Sequence, residues 1–369
     1  MLRILHSADL HIGMSFNNYP EEVGQELQQA RLDSLDQLVE KAQIHECELL
    51  VIAGDLFHST RISKKMITQV HEKLNAFTGD CIAILPGNHD YDDGINALWS
   101  AFLEESSDKI LVMNEYRPYP LQINERRVVL YPAFCDSRHS EKHRLSWITE
   151  NPAVDFESVH IGLAHGSIEG LSPDFHKKYF PMRMAELEDL PMDLWLLGHT
   201  HVPYPDPSQQ HFSRIFIAGT PEPDGLDFKG EGNAWLISID QDKQLQAEAI
   251  RMGQYIFIDQ AYKVDSEKDL HAIRDSLGPD LSRVVARIKL QGYVDEQLRD
   301  QVLLLEQELK AQLFYLAAFD CRDLRMLVNE DYIKREYARD GFAYRLLMKL
   351  ADDPRALQMA YELVEEAKK

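Results

Sequence analysis

Basic residues are in short supply. The 369-residue chain carries 39 Lys and Arg against 61 Asp and Glu, a formal net charge of -22. A surface of that sign repels phosphate backbones, which excludes a general nucleic-acid coat protein. Any polyanionic substrate has to be drawn in locally, by metal ions or by a partner's basic surface. Cysteine is also scarce. The four, Cys47, Cys81, Cys135 and Cys321, lie far apart, which argues against a structural zinc knot or a dense disulfide framework. They read as reduced, mostly buried thiols. No apolar stretch approaches the roughly 20 residues that span a bilayer, so no membrane association is expected. Met1 to His6 lacks the long apolar region and cleavage site of a signal peptide, and the expected location is cytoplasmic. Also missing are a Gly-x-x-x-x-Gly-Lys-Ser/Thr phosphate loop, a dinucleotide fingerprint and a Gly-x-Ser-x-Gly elbow.

What is present is enough for a sizeable core, with 44% hydrophobic residues, and a length that suggests two domains. Short apolar strands alternate with helical segments over the first two-thirds. Leu2 to Ala8, Leu49 to Ala53 and Ile82 to Leu85 read as strands, separated by helices over Glu21–His45 and Ser63–Phe77. That β-α-β-α-β order implies right-handed crossovers and a largely parallel sheet. Further strands follow at Val128–Tyr131, Val159–Ala164, Leu194–Leu197, Ile215–Ala218 and Ala234–Ile239. With few long helices between them, they predict a mixed sheet or a second sheet packed on the first. The pattern changes near Met252, so two domains are expected, 1–252 and 253–369. The second begins as a βαβαβ-like run and turns helical and amphipathic after Asp331, with Tyr337, Leu347, Leu357 and Leu363 among its apolar anchors. Asp353 and Pro354 are expected as N-cap and first residue of the last helix.

Five apolar strands each run into polar residues of metal-binding type: Asp9-Leu10-His11, Gly54-Asp55, Gly87-Asn88-His89-Asp90, His165-Gly166 and Gly198-His199-Thr200-His201. In an open α/β sheet the carboxyl ends of the strands gather along one edge, where ligands bind. Two divalent cations about 3.5–4 Å apart repel each other, so a carboxylate has to bridge them; Asp55 is the natural bridge. Imidazoles fill coordination sites without over-neutralising the pair, and the Asn88 amide oxygen adds a weak neutral ligand. Oxygen and nitrogen donors without thiolate suit manganese or iron, with zinc possible. Any one of these short motifs is common in ordinary loops; five in order, each after a strand, are not. His6, His45, His71, His160, His211 and His271 show no ligand spacing, and His139, His143 and His176 lie in polar loops.

These residues resemble the calcineurin-like metallophosphoesterase superfamily. Ser7 to Gly13, Ile52 to Phe57, Leu196 to His201 and Ala218 to Glu222 are most like its DNA-repair exonuclease branch, the SbcD/YhaO type of double-strand-break nuclease. The likeness covers roughly residues 1 to 240. It implies an α/β fold of mixed-sheet sandwich type, two packed sheets flanked by helices, with a smaller α+β capping domain and C-terminal helices. It implies that one metal takes Asp9, His11, Asp55 and His201, and the other Asp55, Asn88, His165 and His199. His89 would face the scissile phosphate as acid or charge stabiliser, and Asp90 would orient the His89 ring by accepting its second N–H. A metal-bridging water would attack phosphorus in line. His58 has two readings, a second substrate-side histidine or a solvent-exposed residue opening the next helix.

The function implied is that of a metal-dependent DNA exonuclease or endonuclease subunit acting on DNA ends in repair. The implied partners are DNA and an SMC-like coiled-coil ATPase of the SbcC type, with a homodimer also expected. The helices after Asp331 either dock on that ATPase or pack on their own domain. Two rivals stand. One is a small-substrate phosphodiesterase or phosphatase on the same two-metal site, which the acidic charge favours. The other, a scaffold that has lost catalysis, is disfavoured by the complete ligand set. The phosphoprotein phosphatases fit poorly, because they carry Asp-Arg-Gly where this chain has His58-Ser59-Thr60 and Glu where it has Asp90.

Overall fold

The structure is a computed structural model that describes residues 1–151, 155–172, 174–208, 213–228 and 230–368; His211 lies outside the described residues. Two compact units divide the chain, Met1–Ile256 and Phe257–Lys369. In the first, the strands are β1 (Leu2–Ser7), β2 (Leu49–Ala53), β3 (Cys81–Leu85), β4 (Ile110–Val112), β5 (Tyr119–Ile123), β6 (Arg126–Ala133), β7 (Val159–His165), β8 (Leu194–Gly198), β9 (Ile215–Ile217), β10 (Asn233–Ile239) and β11 (Leu245–Arg251). Its helices are α1 (Glu21–Ile44), α2 (Lys64–Leu74), α3 (Leu98–Glu105), α4 (Ser146–Glu150) and α5 (Met184–Asp189).

The strands form two sheets, one in the order β11-β10-β1-β2-β3-β4 and one in the order β5-β6-β7-β8-β9. Within the first, β1 to β4 are parallel, and β10 and β11 close the edge antiparallel. Within the second, β6 to β9 are parallel and β5 is antiparallel to β6. Alternation along each strand explains why the sheets stack. On β2, Leu49, Val51 and Ala53 point into a core shared with Leu130, Ile161, Leu163 and Leu196 of the other sheet. Leu50 and Ile52 point the other way, into a layer with Leu35, Leu38, Val70 and Phe102 of the helices. Both faces are covered, so the strand reads as an unbroken apolar run. Each such Leu or Ile contributes about 1.5–3 kcal/mol on burial, and truncating Leu196 to Ala is expected to cost about 2–5 kcal/mol. The mixed two-sheet α/β sandwich expected from the sequence is present.

The second unit contains β12 (Ile256–Lys263, whose first residue is the last of the first unit), α6 (Glu267–Ser276), β13 (Val284–Val294), α7 (Glu296–Gln312) and β14 (Tyr315–Met326), with sheet order β12-β13-β14 and β13 parallel to β14. Asp295 caps α7 by accepting the Leu298 amide at 2.8 Å. Three helices follow: α8 (Glu330–Glu336), α9 (Phe342–Lys349) and α10 (Pro354–Glu366). Asp353 accepts the amides of Arg355 and Ala356, and Pro354 starts α10. Val328, Ile333, Leu347 and Leu357 make a small core here. Leu363, expected as an anchor, is instead 65% exposed.

Candidate metal centre

All five polar motifs leave the carboxyl ends of parallel strands: β1, β2 and β3 in one sheet, β7 and β8 in the other. The loops after β1 and β2 stay paired beyond the strands, since Asp9 donates its amide to the Gly54 carbonyl at 3.0 Å and His11 donates to that of Asp55 at 2.9 Å. Four of the seven predicted ligands, Asp9, His11, Asp55 and His199, have positive φ (57°, 48°, 53° and 90°). Left-handed backbone is costly for a residue with a side chain, and such strain concentrates where function demands a geometry.

The two carboxylates are held alike. Asp9 accepts the His199 amide on Oδ2 at 2.8 Å, and its Oδ1 is buried without a partner. Asp55 accepts the His89 amide on Oδ1 at 2.8 Å, and its Oδ2 lies 3.3 Å from His165 Nε2 and 3.6 Å from His11 Nε2. Each carboxylate thus spends one oxygen on a backbone N–H and turns the other toward the histidines. The free Asp9 oxygen faces the Nε2 atoms of His201, His11 and His165 at 3.8, 3.9 and 4.0 Å, too far for hydrogen bonds. The Asn88 amide oxygen lies 3.1 Å from His165 Nε2 and 2.9 Å from His199 Nδ1. His165 is oriented from behind, its Nδ1 2.8 Å from the Ala53 carbonyl. Two ring nitrogens, His11 Nε2 and His201 Nε2, face each other at 3.2 Å.

This is a donor set arranged around cations. Asp9, His11 and His201 form one cluster, and Asp9, Asp55 and His165 another, with donor atoms in each within 4.8 Å of one another. Burial pushes the Asp9 carboxyl up to about 6 and His199 down to about 3. Against its burial, His165 is held up at about 9 by Asp55. A buried carboxylate with an orphaned oxygen, ringed by nitrogens beyond hydrogen-bond reach, is satisfied by a divalent ion. No thiolate joins in; Cys135, the nearby cysteine, donates its Sγ–H to the His165 carbonyl at 3.3 Å. The residues present therefore fit the two-ion set of oxygen and nitrogen donors.

Two substrate-side expectations fare differently. His58 does not open a helix, since α2 begins at Lys64. It is half-buried, with its Nδ1 3.4 Å from His11 Nδ1 and its ring 5.0 Å from that of His89. Asp90 does not orient His89. Its carboxylate turns inward and accepts the amides of Gly87 at 2.6 Å and Phe57 at 2.9 Å, and its carbonyl accepts from the Trp99 indole. Both oxygens are thereby used beneath the loop, and the partner of His89 Nδ1 is the His58 carbonyl oxygen at 3.0 Å. Asp90 shapes the loop that carries Asn88 and His89 and does not reach the ring.

The profile of the family described as calcineurin-like phosphoesterase matches residues 2–203, a segment that holds every motif above. The chain belongs to the calcineurin-like phosphoesterase family. It is therefore a metal-dependent phosphoesterase, and the family implies a two-metal site. Among solved structures the chain is similar to the protein TT1561 of Thermus thermophilus, at 14% identity over 68% of this chain and 98% of that one, TM-score 0.40. It is similar to a dimetal phosphatase from Danio rerio, at 14% identity over 68% and 98%, TM-score 0.38. It is also similar to the nuclease MPE of Pseudomonas putida, at 19% identity over 43% and 59%, TM-score 0.23.

Several residues of this phosphoesterase centre carry no local motif. Arg31 of α1 is fully buried and donates to the carbonyls of Leu10 at 2.7 Å and Glu222 at 3.1 Å. Asp224 accepts from His201 Nδ1 at 2.7 Å. The Tyr179 ring lies 5.1 Å from that of His199. A cavity of about 500 Å³ beside His199 and His201 is lined by Tyr179 and Phe228 and by the acids Asp174, Asp224 and Asp227.

Proposed function

We propose that this phosphoesterase is a manganese-dependent nuclease that hydrolyses phosphodiester bonds at DNA ends in repair, of the SbcD/YhaO type. The observation that carries the reading is a pair of histidines beyond the seven expected ligands, with ring nitrogens within 4.8 Å of each other and of His11. His89 and His58 stand side by side, ring centroids 5.0 Å apart, next to His11. A phosphodiester in DNA leaves as an alkoxide, which needs a proton or compensating charge, and two imidazoles beside the donor cluster supply it. The motif likeness at Ser7–Gly13 and Ala218–Glu222 points to the same branch.

Asp9, His11, Asp55 and His201 would hold one ion, and Asp55, Asn88, His165 and His199 the other. Bound there, the ions supply Lewis-acid activation of water and phosphate. The protein groups do the rest. With Nδ1–H donating to the His58 carbonyl, His89 turns Nε2 toward the substrate, where in its protonated form it donates to the leaving oxygen. His58 sits beside it; burial and the neighbouring His89 hold its ring below the usual imidazole range, so it serves as a neutral second donor.

The net charge of -22 requires basic surface from elsewhere. An SMC-like coiled-coil ATPase of the SbcC type is the partner in this reading. Exposed Phe342 of α9 and Met359 and Leu363 of α10 are the docking candidates. The second unit, Phe257–Lys369, takes the capping role, and a homodimer and a cytoplasmic location complete the assignment. A second reading, a phosphodiesterase or phosphatase for small substrates, is favoured by the acids lining the cavity beside His199 and His201. A panel with manganese decides between them: linear duplex, single strand, cyclic nucleotides and a chromogenic phosphodiester. Release of nucleotides from linear DNA, weakening as salt rises, supports the nuclease. Hydrolysis of a cyclic nucleotide with DNA left intact, even with the ATPase present, establishes the small-substrate enzyme instead.

A further inference from the structure

His201 is one of two predicted ligands, with His199, that are only partly buried, its side chain 31% accessible. It comes from a loop after β8 and presents Nε2 to Asp9 and His11. A histidine so placed can rotate about its side-chain bonds, or shift its proton to Nε2 and lose its lone pair. Something has to fix both ring and tautomer. The backbone does this for His165, through the Ala53 carbonyl. For His201 the atom in that position is Oδ2 of Asp224, 2.7 Å from Nδ1.

Asp224 is itself braced. Arg31 Nη2 lies 3.9 Å from the same Oδ2, and the Arg31 side chain is fully buried. That guanidinium also holds the carbonyls of Leu10 and Glu222. It therefore ties the loop bearing Asp9 and His11 to the segment that bears Asp224. Thr220 adds a second tie, its hydroxyl 2.9 Å from the carbonyl oxygens of both Asp9 and Glu222. The Glu222 carboxylate accepts the amides of Gln254 and Tyr255 at 2.7 and 2.9 Å, which anchors the segment from its far side. Asp224 thus stands on a scaffold referenced to the same loop that supplies Asp9 and His11.

We propose that Asp224, braced by Arg31, is a positioning residue that holds His201 with its proton on Nδ1 and its Nε2 lone pair free for a divalent ion. The inference rests on the metal centre described above and not on which phosphoester is hydrolysed. A carboxylate behind a histidine ligand raises its basicity and fixes its orientation, and losing it weakens metal binding by about 10–100-fold. Asp224 lies beyond the matched segment 2–203, so the device is built from a part of the chain outside the ligand motifs.

The test is Mn²⁺ binding by the full chain, measured by titration calorimetry without any substrate, in a double-mutant cycle of Asp224 and His201. Asp224→Ala is expected to weaken one of two Mn²⁺ sites by about 10–100-fold. Asp224→Asn keeps an acceptor oxygen without the charge and is expected to lose less. If Asp224→Ala fails to fold, judged by circular dichroism, Asp224→Asn carries the cycle alone. On a His201→Ala background the Asp224 substitution is expected to add no further loss, because its effect runs through the missing ring. An unchanged affinity in the single variant, or an equal loss in both backgrounds, overturns the proposal. A wild-type chain that binds no divalent ion overturns the metal centre itself, and the proposal with it; failure on DNA alone touches neither.

Discussion

His89 Nδ1 lies 3.0 Å from the carbonyl oxygen of His58, so the backbone of one substrate-side histidine orients the ring of the other. The amide of His89 is bonded to Asp55 Oδ1, but among the described residues no carboxylate bonds its ring. His89→Ala is therefore expected to leave both ions bound and to cut activity by about 10²–10⁴-fold, the range for a lost general acid or base. The deficit should shrink for a nitrophenolate leaving group, which needs no proton. Metal content and activity on both substrates, compared with His199→Ala, check this. Loss of metal in His89→Ala to the same extent as in His199→Ala would make His89 a ligand.

Asp55 is fully involved in the centre, one oxygen on the His89 amide and the other facing His165 and His11. Under the proposed assignment Asp55→Ala removes the shared negative ligand, and it unties the loop after β3. Mass spectrometry of the intact protein is expected to show at least one ion lost, with activity falling in parallel. Two tightly held ions in this variant would end the bridging assignment.

Away from the centre, Asp136 and Arg144 form a two-pronged pair, with Oδ1 2.7 Å from Nη2 and Oδ2 2.8 Å from Nε. Burial alone would push this carboxyl up, but the Arg144 hydrogen bond and charge hold it below the usual range. A depressed folded-state pKa contributes stability above the unfolded value and loses it as pH falls through the folded one. Asp136→Asn is expected to cost about 1–2 kcal/mol at neutral pH, given the partial exposure of both groups. The gap to wild type should close below about pH 4, as the wild-type carboxylate takes up its proton. Denaturant melts across pH 3 to 7 read this out, and a gap that does not narrow argues against an ionic origin.

The residues expected as ligands could be singled out because each follows an unbroken apolar strand, and a parallel sheet brings such strand ends to one edge. Arg31 could not, because on α1 it looks like one more helix charge among Glu26, Asp33 and Asp36; only the fold shows that it points under the β1 loop. Asp224 sits 23 residues after His201 in a polar segment with no periodicity to mark it. Asp90 was misjudged because adjacency to His89 says nothing of direction, and its side chain turns inward to two backbone amides. Among elements, β4, β5 and β11 were missed: β4 has only three residues, β11 is a mostly exposed edge strand, and β5 alternates buried with exposed positions over five residues that include a proline, so none offers the buried apolar run that betrays β2 or β8. The short helices α3, α4 and α5 give too few turns for a period to show.

Gly54 precedes Asp55 with φ at 97°, and a Cβ added there would run into the His165 imidazole. Two penalties are therefore combined at one position. The first is the left-handed backbone, which costs a residue with a Cβ about 1–2 kcal/mol. The second is displacement of His165, an expected ligand whose other nitrogen is already fixed by the Ala53 carbonyl. Gly94 separates the two, because its φ is 70° and a Cβ there would meet nothing within 4 Å. Gly94→Ala is expected to cost about 1–2 kcal/mol of stability and to leave metal content unchanged. Gly54→Ala should cost more and also lower Mn²⁺ occupancy, because His165 cannot stay beside Asp55 and Asn88 while making room for a methyl group. Thermal melts give the first comparison and metal analysis the second. If Gly54→Ala retains two ions per chain with the stability loss of Gly94→Ala, then His165 is free to move and does not hold the second ion in the geometry described.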